Sequence, residues 1–498
     1  MPASRPPNII FLQTDQHRWD ALGCVNPLVR TPHLDALAAR GVRFSQAVCQ
    51  VPMCVPSRYS MMLGLYGSQS GLRHNTQIVP QDDLLPLPVL PQRLRDLGYQ
   101  TAGFGKTHWY EGEPFFPPGA PIERSTRGFE VRAVSRGIEA EPGAATMDGS
   151  LPGDAARLKE EKRAYGGGGE DPAGYVGRTS AVPGPLQFEG WLTQRALDFL
   201  ETGRDRSRPL FLYLSFNFPH PGFGVPPGYE DLYDLGRIPD RPAPPWQEEP
   251  AGHVPPPARW RGHWEGMSAE ERRRTTLRYW ALCTFCDDLF GQLLARLAET
   301  GELDGSLVVF ASDHGEMLGD RGHRFSKYCL YEGSVRVPLI LSGSRVPEIL
   351  RGTVDDRPAE LVDIVPTVIG ATGGEIPHFL PGLDLLGGAR RAGSFAEMHG
   401  MGYEAEQEGP AWMWRAGGWK LILYAPGRLS ALARAPAELR GELYDLERDP
   451  GEWVNLWDDS ACRSVRGEMK AALLSRIAFA SAAYPRHIEG HGWVMPGR

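Results

Sequence analysis

Short apolar runs alternate along the chain with stretches in which apolar residues recur every three or four positions. Residues 8–14, NIIFLQT, form such a run and stop at Asp15. A run of this kind fits a strand buried on both faces. Thr31 then stands where a helix cap belongs, with Pro32 at the first helical position. Leu34, Leu37 and Ala38 share one face, and Gly41 closes the helix. Residues 88–97 repeat the helical pattern, with Gly98 as the stop. YQTAGFG (99–105) follows as a strand that delivers Lys106 and His108. The next strand, PLFLYLSFN (209–217), leads into Pro219 and His220. Ser268 and Glu271 make a capping box for a long helix ending near Thr300, and SLVVFAS (306–312) is a strand that ends at Asp313.

This alternation predicts an α/β fold, a large, mostly parallel sheet sandwiched by helices. Ligands of such sheets bind outside the carboxyl ends of the strands. Asp15, the Lys106/His108 pair, His220 and Asp313 each follow a predicted strand directly. Polar groups from four distant segments should therefore meet at one sheet edge.

Two stretches break the pattern. Residues 111–190 are rich in proline, glycine and charge, and are expected to carry little regular structure. Residues 219–257 are proline-rich. Both read as long excursions near the site. Beyond about residue 390 the style changes. WKLILY (419–424) and GELYDLERDP (441–450) read as paired antiparallel strands, and 461–483 as a closing helix. The expected organisation is a catalytic α/β domain over 1–389 and a smaller C-terminal α+β subdomain with an antiparallel sheet over 390–498. Trp412, Trp414 and Trp419 read as core of that subdomain.

Composition excludes several classes. Hydrophobic residues make up 41% and charged residues 23% of the 498, an ordinary globular balance. With 53 basic and 61 acidic residues the net charge is −8. That balance argues against nucleic acid or an anionic membrane as partner, and an anionic substrate would need a local basic pocket. No stretch approaches the length of a membrane span. The apolar run at residues 9–12 is too short for a signal-peptide core, so the expected location is cytoplasmic. The seven cysteines are scattered and odd in number, which is no disulfide framework. Cys283 and Cys286 form a CxxC inside a helical stretch and read as core residues. Nothing in the sequence sets an oligomeric state.

The candidate chemistry begins at PMCVPSRYSM (52–61). Pro56 fits the first turn of a helix, which places Cys54 at its amino end. Backbone N–H groups there favour a thiolate or any oxyanion. Arg58 lies one turn further in. Asp15-Gln16 and Asp313-His314 supply oxygen ligands and an imidazole, a set suited to calcium, magnesium or manganese, with zinc also open. Lys106, His108, His220 and Lys327 add cationic or proton-transferring groups. Together these make an anion-transfer site. His17, His33, His74, His323 and His399 read as surface or packing residues.

The same blocks carry a family resemblance. CVPSR matches the C-x-P-S-R signature of the type I sulfatases of the alkaline phosphatase superfamily. TDQHRWD precedes CVPSR, and GKTHW, FPHPGF, ASDHGEMLGD, KYCLYEGSVRVPLIL and WKLI…ELYDLERDPGEWVNL come after it, all in family order. The resemblance implies an alkaline phosphatase-like fold and hydrolysis of a small-molecule or saccharide sulfate ester. A formylglycine-generating or other sulfatase-maturating enzyme would oxidise Cys54 to formylglycine, whose hydrate attacks sulfur. Asp15, Gln16, Asp313 and His314 would bind one divalent metal together with residue 54, calcium by expectation and manganese as the alternative. Arg58 would hold the diol and the metal-side oxygens, and Lys106 would steady the nucleophile. His108 would take a proton from the second hydroxyl. Lys327 and His220 would hold the sulfate, His220 as general acid, and Asn75 would touch substrate oxygens. One departure stands out. Many sulfatases carry two consecutive aspartates where this chain has Asp15-Gln16. The phosphonate monoester and phosphodiester hydrolases of the superfamily also show Asp-Gln, so they are the alternative. A non-catalytic anion-binding member is the remote one.

Overall fold

The computed structural model describes residues 6–75, 85–108, 127–134, 145–164, 176–243, 245, 266–399, 410–425 and 439–481. Its centre is a nine-stranded sheet. From one edge the strands run Thr353–Glu360, Val42–Val48, Leu339–Gly343, Leu307–Ser312, Ile9–Thr14, Leu210–Ser215, Gln100–Gly105, Val131–Val134 and Ala145–Thr146. All neighbours pair in parallel except Leu339–Gly343, which is antiparallel to both of its neighbours. The expected α/β architecture is therefore present. The four strands predicted to deliver polar residues are adjacent and parallel, in the order 307–312, 9–14, 210–215, 100–105.

The apolar runs explain why these strands lie at the centre. Alternate residues of a strand face opposite sides of a sheet. Ile9, Phe11, Phe211, Tyr213, Leu307 and Val309 enter one hydrophobic core, while Ile10, Leu12, Leu210, Leu212, Val308 and Phe310 enter the other. Burial on both faces requires continuous apolar runs, and helices cover both sides. Cys54–Leu63 and Ile364–Thr372 pack in the first core, and Pro32–Arg40 and Phe188–Asp198 in the second. The long helix Ala269–Glu299 serves both, beginning with the expected capping box of Ser268 and Glu271. Its Cys283 lies in one core and Cys286 in the other, both buried and unpaired, as the helical spacing implied.

The reading of 111–190 as carrying little regular structure is corrected for its described part. Val131–Val134 joins the sheet, and helices span Pro152–Ala164 and Phe188–Asp198. The proline and glycine clusters that drove that reading flank these elements rather than fill them. Much of the stretch (residues 111–126, 135–144 and 165–175) lies outside the described residues, as do 244 and 246–257 of the second excursion.

Ser394–His399, Pro410–Ala416, Trp419–Tyr424 and Arg440–Asp445 form a separate antiparallel sheet, covered by the helix Arg463–Ala480. Trp414 is buried in its core, and Trp412 and Trp419 pack against it. Buried charges tie this sheet to the segment after Lys327. Glu332 meets Arg415 at 3.0 Å and Lys420 at 3.2 Å, and Lys420 also meets Glu452 at 2.8 Å. Among the described residues no helix is long and apolar enough to cross a membrane.

Gly105 shows how closely the strand ends approach. It has φ +90°, and a Cβ there would fall 1.9 Å from the carbonyl oxygen of Ser215. Gly105→Ala is expected to destabilise the protein by about 2 kcal/mol or more, since left-handed strain and overpacking add. Denaturant unfolding checks this, and a loss within about 0.5 kcal/mol, the range of ordinary surface changes, would contradict it.

Candidate active site

The carboxyl ends of the four central strands meet the amino end of the helix Cys54–Leu63. Asp15 follows strand Ile9–Thr14 and Asp313 follows Leu307–Ser312, and both are fully buried. Between them lies the guanidinium of Arg58. Its Nε donates to Asp313 Oδ2 at 2.7 Å and its Nη2 to Asp15 Oδ2 at 3.0 Å. Its Nη1 reaches the Lys106 carbonyl at 2.6 Å, Ser215 Oγ at 3.0 Å and Tyr213 OH at 3.3 Å. Every nitrogen of this buried cation is matched to an acceptor. The Lys106 ammonium also takes Asp15 Oδ2, at 2.8 Å.

This arrangement sorts the carboxylate oxygens. With the Oδ2 atoms held by Arg58 and Lys106, the Oδ1 atoms face His314 Nε2, at 3.8 Å from Asp15 and 3.7 Å from Asp313. His314 Nδ1 lies 3.0 Å from the Gly315 carbonyl, and a carbonyl can only accept. Nδ1 therefore carries a proton, and Nε2 is the ring nitrogen turned inward. Cys54 Sγ stands 3.2 Å from that nitrogen and 3.8 Å from Asp15 Oδ1. One donor atom from each of Asp15, Cys54, Asp313 and His314 lies within 4.8 Å of the others. Two carboxylate oxygens and an imidazole nitrogen, oriented by partners of their own, fit a divalent cation.

Electrostatics agree with an anion site. Burial and Asp15 push the Cys54 thiol up, but Lys327, Lys106 and His314 outweigh them and hold it well below its usual value. Burial raises Asp15, yet Lys106 and Arg58 keep it well below the usual carboxylate range. Burial and the neighbouring Lys327 charge hold His220 neutral. Its Nδ1 faces the Pro221 carbonyl at 3.1 Å, so Nε2 accepts from Lys327 Nζ at 2.8 Å. Burial opposes the charge on Lys327, but Cys54, Asp15, Asp313 and Glu316 keep it protonated.

Gln16 is buried beside this cluster with φ +64°. Its backbone N–H donates to Asp313 Oδ1 at 3.0 Å, and its Oε1 accepts from Lys327 at 2.7 Å. Asp15, Gln16, Cys54, Arg58, Lys106, His220, Asp313, His314 and Lys327 are thus brought into one connected set. His108 follows the same strand end as Lys106, half-buried with φ +54°. Asn75 lies at the start of the helix Cys54–Leu63. Its Oδ1 accepts from the Val55 N–H at 3.0 Å, so it caps the first turn of the Cys54 helix. His17 packs edge-on against Phe310, as a packing residue should.

Three contributors were missed. Tyr213 and Ser215 sit on one face of a strand whose other residues are apolar, which was a usable signal. Glu316 gave none beyond its place two residues after His314. Its carboxylate accepts from Gln16 Nε2, from Ser326 N, and from Leu318 N at 2.9 Å.

Comparison with known proteins agrees with this geometry. A sulfatase family model matches residues 7–374. The chain therefore belongs to the sulfatase family, and it is a sulfuric ester hydrolase. It is 29% identical to an arylsulfatase of Clostridium perfringens over 76% of this chain and 77% of that one. It is 28% identical to a choline-sulfatase of Rhizobium meliloti over 98% and 90%. Among solved structures, a phosphonate monoester hydrolase from Silicibacter pomeroyi superposes with TM-score 0.73 at 24% identity, covering 95% of each chain. A structure titled as a complex of BT4656 with D-glucosamine-2-N,6-O-disulfate gives 0.70 at 20% identity, covering 96% of this chain and 98% of that one. These likenesses establish the alkaline phosphatase-like fold.

Arg58→Lys keeps one positive charge but cannot reach both carboxylates. Leaving a buried charge uncompensated costs about 3–5 kcal/mol, so a stability loss of that size is expected in metal-free protein. Urea unfolding in the presence of a chelator checks it. A loss below about 1 kcal/mol, typical of an exposed pair, would contradict the account.

Proposed function

We propose that this enzyme hydrolyses a sulfate monoester to alcohol and sulfate, using residue 54 as nucleophile after Cys54 has been converted to formylglycine. The observation that carries the reading is Cys54 itself, in the first turn of its helix, ringed by Asp15, Asp313 and His314 and flanked by the cations of Lys106 and Lys327. A thiol there is in the place where an oxyanion would be stabilised. Conversion requires a formylglycine-generating or other sulfatase-maturating enzyme as partner. We read residues 1–389 as the catalytic domain and 390–498 as its C-terminal subdomain.

Asp15, Gln16, Asp313 and His314 would hold one divalent cation, calcium in our reading and manganese as the alternative. When bound, the cation supplies charge stabilisation to oxygens of the nucleophile and the sulfate. The protein's own groups do the rest. Arg58 and Lys106 hold the Asp15 carboxylate in place and offset its charge. Lys327 and His220 receive the sulfate. Lys327 donates to His220 Nε2, and passing that proton from Nζ to Nε2 would leave a neutral lysine and a charged imidazole able to give the proton to the leaving oxygen; general acid catalysis of this kind contributes about 10²–10⁴-fold. His108 removes the proton from the second hydroxyl of residue 54 so that sulfate is released. The substrate class we favour is a saccharide or other small-molecule sulfate. Similar proteins include one named an ulvan-active sulfatase and the structure holding a glucosamine disulfate.

Phosphonate monoester or phosphodiester hydrolysis is the second reading. Gln16, in place of a second aspartate, favours it, and so does the likeness in fold to the phosphonate monoester hydrolases. The test is kcat/KM for an aryl sulfate beside an aryl phosphonate monoester, using converted enzyme with calcium or manganese. A preference for sulfate of about tenfold or more is expected, together with loss of activity on chelation. A preference for the phosphonate would overturn the sulfatase reading.

A further inference from the structure

Glu316 is a buried acid that no step above uses, yet it touches two groups that the reaction needs. One oxygen, Oε2, accepts from the amide nitrogen of Gln16. The other, Oε1, accepts from the backbone N–H groups of Leu318 and Ser326. All three partners donate, and a carboxyl proton would find no acceptor among them, so the group sits there as a carboxylate.

Leu318 and Ser326 flank the loop that leads to Lys327. Both have left-handed backbones, with φ +45° and +70°, and Arg321 and Tyr328 share that conformation at +50° and +68°. Non-glycine residues keep such angles only where the surroundings over-determine them. Glu316 ties the two ends of the loop across one oxygen. Arg18, itself buried, braces the same segment, donating through Nη1 to the carbonyls of Glu316 and Met317.

On its other side Glu316 fixes the Gln16 amide. An amide has one accepting end and one donating end. Glu316 only accepts and Lys327 only donates, so the two together decide which end points where. We propose that Glu316 is a positioning residue of the active site. It orients the Gln16 side chain so that Oε1 faces Lys327 and the cation site, and it fixes the loop that brings Lys327 to that oxygen. The inference rests on reading Gln16 as a cation ligand. In this view the neutral amide at position 16 is polarised by a negative charge held directly behind it.

The test is a double-mutant cycle on converted enzyme, read by calorimetric titration with calcium chloride and with manganese chloride. Glu316→Gln sets an amide against an amide and should weaken cation affinity about tenfold or more, the usual cost of losing a ligand's supporting partner. Exchanging the two residues, Gln16→Glu with Glu316→Gln, restores a donor facing an acceptor. It should recover most of the loss, giving strong coupling between the positions. Thermal unfolding of each variant checks that the fold is kept. Should Glu316→Gln not fold, Glu316→Asp carries the same test, because the shortened carboxylate cannot span Gln16 and both N–H groups. Affinities within about twofold of the wild type, or effects of the two changes that simply add, would overturn the proposal. The cycle reads cation binding and not turnover. A wild type that binds the cation but cleaves no sulfate ester would therefore overturn the assigned reaction alone.

Discussion

Arg58 reaches the sheet edge from the second turn of its helix and is met there by two carboxylates from neighbouring strands. The Lys106 carbonyl, Tyr213 and Ser215 come from the next two strands. None of these charges could stay buried alone. Two aspartates in an apolar interior would take up protons, and an unpaired guanidinium would draw water in or unfold its surroundings. Together they form a set in which each charge is tolerable because of the others. The consequence reaches the chemistry. By occupying the Oδ2 atoms, Arg58 and Lys106 leave the Oδ1 atoms facing His314 and Cys54, so one interaction both holds the strand ends together and aims the ligands.

Much of this was legible in the sequence, because the local rules and the global fold agree. The strands that carry the site are buried on both faces, which forces continuous apolar runs. Those runs end in charged or polar residues because ligands of parallel sheets bind there. Ile9–Thr14 with Asp15, and Leu307–Ser312 with Asp313, are the clearest cases. The capping box at Ser268 and the helical spacing of Cys283 and Cys286 were equally local and equally readable.

What could not be read was where side chains end up after long-range pairing. Arg58 was recognisable as a site residue, but its partners lie 43 and 255 positions away, and only the folded sheet shows that it serves the carboxylates. That Asn75 also holds the Val55 N–H of the Cys54 helix, 20 positions away, is visible only in the folded chain. Glu316 was invisible for the opposite reason. Its neighbours in sequence suggest a turn, whereas its work is to hold Leu318, Ser326 and Gln16 at once. The excursion at 111–190 was misread where Val131–Val134 adds to the sheet, since proline and glycine nearby masked a short strand.

The central claim is that residue 54, as formylglycine, is the nucleophile of this site. The most direct measurement is the mass of the tryptic peptide FSQAVCQVPMCVPSR, residues 44–58, taken on the same preparations whose turnover of an aryl sulfate is measured. Preparations made with and without a maturating enzyme would supply a range of conversion. The account predicts that kcat rises in proportion to the fraction of peptide in which the Cys54 thiol has become an aldehyde, and that unconverted protein is inactive. Full turnover by protein in which every copy of Cys54 remains a thiol would contradict it.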